Sequence, residues 1–431
     1  MAATQPKLAW VAPPAPNAQD DKVLRVEAMD IEDSGMKYCV VITDGASGEP
    51  IGELGQKTSL EAAFTPHIDA LAEQGVVGLA RTVPENMEPS SNVACTSICG
   101  YDPAQYPVGR GALEGAALGI RLADDEVALR LNLTHVTDEG IMKSYSTNNI
   151  SVEDGHALIT ELAQALDDEV FTLHAGMGFR GILVAKGRPG LMDTWSPAAH
   201  NITDEQVADY PPTGPEAQLL LEYERRAREI LAVSPVNARR KAEGKLEATD
   251  VFIFWPGQRP GNLQPFYSIY GKKAGMLSGV DLLNGIAFLA DIACYHFEGI
   301  TDGPDNDYAA QGEGALAMLE ELDVVFCHVE APDAEGHDGN ISGKVAAIEA
   351  IDREVISRLQ RYSERQPLRI LVMPDHSTPT LTKRHTGDPV PFVMWGPGIE
   401  PNAGTRLTEA EAAKTGLVLD PGYQLMEMLL S

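Results

Sequence analysis

Seven residues have side chains suited to moving a phosphoryl group: Asp44, Ser91, Asp333, His337, Asp375, His376 and His385. Carboxylates and imidazoles suit Mn²⁺, Zn²⁺ or Mg²⁺-like ions, and no Cys pair stands at the spacing of a closed thiolate site. Two such ions about 3.5–4 Å apart polarise a phosphoryl oxygen and stabilise both the attacking and the leaving oxygen. A serine hydroxyl held on one of them becomes a nucleophile at neutral pH. Taken singly, each residue has an ordinary role: a turn Asp after a strand, a loop His, a solvated Ser. Their conjunction points to a two-metal phosphoryl-transfer site.

The elements that must position them are legible as apolar runs. Asp44 ends Tyr38–Thr43, Asp333 follows Asp323–Val329, and Asp375 follows Leu368–Pro374. Short, mostly aliphatic runs that each lead to a carboxylate read as buried parallel strands delivering ligands to one sheet edge. The carboxyl edge is where open α/β sheets bind ligands.

At 431 residues the chain exceeds what one core usually supports, so two domains are expected. With 33 basic against 63 acidic residues the net charge is −30, which argues against nonspecific nucleic-acid or anionic-membrane binding. Cys39, Cys95, Cys99, Cys294 and Cys327 form an unpatterned set, read as reduced core thiols. The stretch bearing Pro6, Pro13, Pro14 and Pro16 has no apolar signal core and reads as a loose leader, and a cytoplasmic location is expected.

After Asp44 comes a polar, Gly-rich loop, then a helix with Thr65 as N-cap, Pro66 in its first turn, Ile68 and Leu71 inward and Gly75 at its end. A strand over 78–82 leads to a loop carrying Ser90 and Ser91. Residues 112–269 alternate strand and helix signals without a metal ligand and read as an insert: helices over 154–166 and 216–231, strands over 181–185 and 249–255. The second stretch of the metal domain, 270–431, contains a helix over 344–359 with Val345, Ile348, Ile351, Val355 and Leu359 on one face. The expected fold is thus α/β, a metal domain of residues 1–111 and 270–431 split by a smaller α/β domain. Neither Gly52–Thr58 nor Gly109-Arg-Gly111 makes a nucleotide-phosphate or dinucleotide fingerprint.

The stretches Asp333-Ala-Glu-Gly-His337, Asp375-His376-Ser-Thr-Pro379 and His385-Thr386, with His328–Asp333, Lys344–Asp352, Gly100–Pro103 and Asp388–Phe392, resemble the alkaline-phosphatase superfamily. Within it they are similar to the cofactor-independent phosphoglycerate mutases of archaeal type, over about residues 40–398. The resemblance implies an alkaline-phosphatase-like α/β/α metal domain and interconversion of 3- and 2-phosphoglycerate without 2,3-bisphosphoglycerate. It implies Ser91 as nucleophile, with Asp44, Asp375, His376 and Ser91 on one metal and Asp333, His337 and His385 on the other. The two divalent ions would be manganese, or zinc, cobalt or magnesium, and the partner a small phosphorylated acid. Ser91-Asn-Val-Ala-Cys95 fits the family's nucleophile register, although Asn92 stands where relatives often carry Asp and Cys95 where they carry Asn or His. The substrate-facing candidates are Arg180, His200, Arg239, Arg240 and Arg259 in the insert and Arg110 at the domain junction, since the Arg fork grips oxyanions at two points. Lys143–Ile150 departs from the family's acid and Gly-basic pair, with Asp138 a substitute acid, and residues 306–316 lack the family's lysine. A phosphatase, a transferase acting for example on homoserine, and a binding protein with structural metals are the alternatives.

Overall fold

A computed structural model of the chain describes residues 35–106, 109–259 and 263–431; the proline-bearing leader, Pro107, Val108 and residues 260–262 lie outside the described residues. The strands, in chain order, are β1 (Lys37–Thr43), β2 (Val76–Ala80), β3 (Glu126–Val136), β4 (Met142–Ser144), β5 (Phe171–Ala175), β6 (Arg180–Lys186), β7 (Asp250–Gly257), β8 (Ala274–Leu277), β9 (Ala293–Tyr295), β10 (Val324–Val329), β11 (Leu368–Met373), β12 (Val390–Trp395) and β13 (Val418–Leu419). The fold is α/β, in two compact units: one runs to Tyr106 and resumes at Gln264, the other spans Pro107–Leu263. The junctions thus lie about five residues before those expected from sequence.

The first unit holds an eight-stranded sheet in the order β13-β2-β12-β11-β1-β10-β8-β9. Only β12 runs against the others. β1 sits between β10 and β11, parallel to both, with Ile42 opposite His328 and Met373. That placement explains the aliphatic runs: a central parallel strand is covered on both faces, so alternation disappears. One face meets Ile68, Leu71, Met318, Leu319, Ile351 and Leu359 through Cys39, Val41, Val325, Cys327 and Val372. Phe326, pointing the other way, meets the Phe266 ring edge-on at 5.8 Å.

Helix Pro66–Glu73 starts after Thr65, but the Thr65 hydroxyl donates to Asp69 rather than capping a backbone N–H. Asp352 does the capping, accepting from the amides of Ile68 at 2.7 Å and His67 at 3.4 Å. The helix expected over 344–359 is longer, Ile341–Ile351 continuing through a π-turn at Asp352–Ile356 into Ser357–Ser363. The wider turn lets Asp352 face helix Pro66–Glu73 without breaking the apolar stripe. The strand expected over 78–82 is β2, shifted toward the N-terminus.

The second unit is a five-stranded antiparallel sheet, β4-β3-β6-β5 with β7 on the other side of β3. Helices Val152–Leu166 and Ala217–Leu231 cover it with Leu158, Leu162, Leu166, Leu220, Tyr223 and Leu231. On the second of these helices Glu224 is buried, its carboxylate oxygen 3.3 Å from the Ile253 amide. Burial and the nearby Asp250 charge push its pKa up to about 8. Folded protein therefore keeps a proton there that the unfolded chain loses above the ordinary Glu range, so this part of the stability is complete in acid and falls as pH rises toward 8. Glu224→Gln should remove the dependence. Amide protection of β7, corrected for intrinsic exchange, should exceed wild type at pH 8 by on the order of 1–3 kcal/mol and match it below about pH 4.

Candidate active site

Asp44 stands one residue past β1, Asp375 two past β11, and Asp333 in the first turn of helix Ala331–Asp338, which follows β10. Helical spacing puts Asp333 and His337 on one face, four residues apart. His337 Nε2 is 3.2 Å from Asp333 Oδ2, and His385 Nε2 is 3.5 Å from Asp333 Oδ1. The two imidazole nitrogens face each other at 2.8 Å. The His376 ring stacks on His385 at 3.9 Å, with its Nε2 3.2 Å from Asp375 Oδ2 and 3.8 Å from Asp44 Oδ1. Ser91 completes the cluster, its Oγ 3.1 Å from His376 Nε2. All seven sequence candidates are brought to one end of the sheet. Ser91 differs from expectation in being the first residue of helix Ser91–Ile98 rather than part of a loop, with Ser90 as its extended N-cap.

Gly45 is what lets these groups close up. Its φ is +58°, and a Cβ there would lie 2.4 Å from Asp333 Oδ1 and 2.6 Å from Thr378 Oγ1. Its N–H donates to Asp375 Oδ1 at 3.0 Å. Thr378 donates to Asp333 Oδ1 at 2.5 Å and lies 3.3 Å from His376 Nδ1, so one hydroxyl aligns two ligand-type groups.

Buried carboxylates repel, and the pKa shifts follow. Burial and the charges of Asp375, Glu330 and Asp333 hold Asp44 well above the carboxylate range. Burial and Asp333 push Glu330 up to about 8. Burial would raise Asp333 as well, but hydrogen bonds from His337 and His385 take it well below its ordinary value. Asp333 in turn raises His337, chiefly through their hydrogen bond, while burial lowers His376. Asp44 Oδ1 and Glu330 Oε2 are buried and have no hydrogen-bond partner. Ligand atoms of Asp333, His337 and His385 lie within 4.8 Å of one another, as do those of Asp44, Asp333 and His376, and of Asp44, His328 and Glu330.

Sequence reasoning missed three contributors. His328 lies inside β10 with Nε2 2.7 Å from Asp44 Oδ2; a lone His in an aliphatic strand was its signal. Lys344 is fully buried, donating to Ser47 O at 3.0 Å and Thr378 O at 2.7 Å, which ties the chain after Asp44 to the chain after Asp375. Burial lowers its pKa to about 8. Glu409 grips the Asp44 loop on its other side, accepting from Ser47 Oγ and Thr58 Oγ1 at 2.8 Å and the Gly48 amide at 3.0 Å.

In the second unit, Arg110 places its guanidinium 4.0 Å from the Trp255 ring centre, and Arg180 sits 5.4 Å from that of Phe179. The His200 ring meets Tyr145 and Trp255 edge-on, at 5.9 and 6.0 Å. Arg130, unforeseen in the sequence, is buried beside them, bonded to Asn132 at 2.8 Å and paired with Glu114. Arg259 is exposed just after β7. Arg239 and Arg240 both pair with Asp154; Arg239 stays exposed, whereas Arg240 is buried with its other nitrogens 3.0 and 2.8 Å from Leu246 O. Arg240 needs correction: a guanidinium so enclosed braces the fold and has no face for a substrate. Asp138 is exposed in the turn between β3 and β4.

The family model described as 2,3-bisphosphoglycerate-independent phosphoglycerate mutase matches residues 72–237. The enzyme of that name from Methanosarcina mazei is 38% identical over 383 residues, covering 88% of this chain and 96% of its own. The chain belongs to the 2,3-bisphosphoglycerate-independent phosphoglycerate mutase family. A probable member from Geobacter sulfurreducens is also 38% identical, across 92% of this chain and the whole of its own. Among solved structures of similar fold, a protein from Pyrococcus horikoshii superposes with a TM-score of 0.76 at 27% identity, over 91% of this chain and 96% of its own. The cofactor-independent phosphoglycerate mutase of Thermoplasma acidophilum gives 0.65 at 22% identity, over 91% and 98%, and shares the fold. The enzyme is an isomerase of this family, and no helix among its described residues is long and apolar enough to cross a membrane.

The closeness of approach at Gly45 yields a test. Gly45→Ala must push Asp333 and Thr378 aside, and a displacement near 1 Å at a reacting centre costs roughly 10²-fold in rate. Activity should fall by about that factor while far-UV circular dichroism stays unchanged; retention of more than half the wild-type rate contradicts the packing described.

Proposed function

We propose that the enzyme interconverts 3-phosphoglycerate and 2-phosphoglycerate through a phosphoserine at Ser91, without 2,3-bisphosphoglycerate and with two divalent cations. The observation that carries this reading is Ser91 Oγ at the start of a helix, 3.1 Å from His376, within a cluster of carboxylates and imidazoles. The residues present fit two cations. Their donors are the oxygen and nitrogen types that Mn²⁺ and similar ions take, and the unpartnered Asp44 Oδ1 has no other use in the fold. Asp333, His337 and His385 would hold one ion, and Asp44, Asp375, His376 and Ser91 the other. When bound, the ions supply charge for the transferring phosphoryl oxygens and favour the alkoxide of Ser91.

The chain's own groups account for the remainder. The first turn of helix Ser91–Ile98 turns its positive end toward a phosphoryl group at Ser91. Ser91 Oγ forms its bond to phosphorus as the bond to the glycerate oxygen breaks, and the proton lost by Ser91 ends on that oxygen. Glycerate turns, its other hydroxyl attacks the phosphoserine, and the proton of that hydroxyl returns to Ser91, so the cycle is neutral. We assign the glycerate carboxylate to Arg110, Arg180 and Arg259 of the insert, with His200, whose pKa burial and the Arg110 charge lower, as a neutral hydrogen-bonding partner.

Phosphorus NMR on 3-phosphoglycerate tests the scheme. Chelation should abolish turnover and Mn²⁺ restore it. Ser91→Ala should lose phosphoenzyme and on the order of 10² or more in rate, whereas Ser90→Ala keeps a measurable rate. Full turnover by metal-free protein, or a dead Ser90→Ala beside an active Ser91→Ala, refutes it.

The turn after β4 favours an accompanying leak. Thr147, Asn148 and Asn149 are all left-handed, and the polar groups of this stretch bond inward, Thr147 to Leu133 O at 2.9 Å and the Asn148 amide to Ser144 at 2.8 Å. Thr147 is thereby spent on β3 and the Ser144 hydroxyl on the turn itself, and loss of one charge-assisted retaining contact is worth about 1.5–3 kcal/mol. Free phosphate should appear beside 2-phosphoglycerate, and Arg180→Ala should raise its share. Turnover with no phosphate release would show the intermediate fully retained.

A further inference from the structure

We propose that His328 positions Asp44: its Nε2, donating to one oxygen of the ionised carboxylate, holds that oxygen so that the other is presented to a cation. The inference rests on the metal reading above and adds to it a residue that touches neither substrate nor the reacting atoms.

The Val280 amide donates to Ser278 Oγ at 3.0 Å, and the Ser278 hydroxyl keeps a hydrogen to give to His328 Nδ1, also at 3.0 Å. With Nδ1 accepting it, the ring hydrogen sits on Nε2, 2.7 Å from Asp44 Oδ2, where an ionised carboxylate needs a donor. Reversing the ring would place a lone pair of Nε2 against the carboxylate and turn two N–H groups onto the Ser278 oxygen. The Ser278 oxygen has lone pairs for both N–H groups, but a lone pair of Nε2 against ionised Asp44 sets two buried acceptors face to face, at a cost of about 1–3 kcal/mol.

The surroundings hold this polarity. Ser278, His328 and Asp44 are 2%, 1% and 0% exposed, so bulk water does not compete for the bonds. Gln311, also fully buried, donates from Nε2 to the His328 carbonyl at 2.8 Å and to Leu277 O at 3.4 Å, pinning the strand on which the ring is mounted. β10 lies directly beside β1, with His328 opposite Ile42, two residues before Asp44. With Oδ2 held, the carboxylate cannot rotate freely, and the partnerless Oδ1 faces His376 Nε2 at 3.8 Å. Partners that orient a ligating carboxylate commonly change metal affinity 10- to 100-fold.

Two measurements test this. In protein labelled with ¹⁵N-histidine and loaded with diamagnetic Zn²⁺, which keeps Asp44 ionised, the His328 ring, assigned by its loss in His328→Gln, should give the nitrogen shifts of the Nε2–H tautomer; the Nδ1–H form overturns the proposal. Titration with Mn²⁺ should then show one of two uptake steps weakened about 10- to 100-fold in His328→Met. The other step should stay within a few-fold of wild type. His328→Gln, which keeps an N–H toward Asp44, should recover most of the loss. Ser278→Ala frees Nδ1 and should weaken the same step, and it serves where His328→Met does not fold. Both uptake steps unchanged in His328→Met, or in Ser278→Ala when that variant stands in, overturn this inference alone. Wild-type protein that takes up no cation overturns the metal reading and this one with it.

Discussion

Everything in the first unit is arranged around one electrostatic problem: four carboxylates, Asp44, Glu330, Asp333 and Asp375, meet in a buried space. Like charges in low dielectric are strongly unfavourable unless opposite charge or hydrogen-bond donors are supplied. The fold supplies both. His337 and His385 flank Asp333, the Gly45 and His376 amides donate to Asp375, and the buried Lys344 stands behind Asp333 and Asp44. These neutralise part of the charge and leave one oxygen of Asp44 and one of Glu330 unanswered.

The secondary elements follow from the need to hold those groups still. A parallel sheet covered on both faces is a rigid base, and β1, β10 and β11 end together so that the residues after them converge. Lys344 and Glu409 clamp the loop after Asp44 from two sides, the first through carbonyls and the second through hydroxyls and an amide. Asp352, lifted by the π-turn, fixes the start of helix Pro66–Glu73. In the insert the same economy of charge appears as cation over ring, with Arg110 on Trp255 and Arg180 on Phe179.

Much of this was legible in the sequence wherever a residue's type clashed with its context. Asp44, Asp333 and Asp375 stood out because each closed an aliphatic run, and His337 and His385 because imidazoles are rare enough to notice. Ser91 required the family's register, since a serine among serines has no signature of its own. The residues that were missed have their polar ends hidden by three-dimensional contacts. Lys344 lies on a helix where lysine is ordinarily solvated, and only the carbonyls of Ser47 and Thr378, far away in sequence, make it internal. Arg240 failed the opposite way: it looks like a free cation until Asp154 and the Leu246 carbonyl are brought to it. The helix at Ser91, where a loop was expected, was obscure because Ser-Asn-Val has weak helix preference and the helix is held by its burial.

The position of β1 at the centre of its sheet has a consequence for biosynthesis. Its two neighbours, β10 and β11, begin at Val324 and Leu368, so the first strand among the described residues is among the last to be paired. At about 5–20 residues per second this apolar segment spends on the order of tens of seconds on the ribosome without either partner. The insert, by contrast, contains all the strands of its own sheet and completes it as soon as β7 emerges. The nascent chain thus carries a finished domain and an unpaired sticky strand at the same time, and its yield in a cell depends on what shields β1 through that interval.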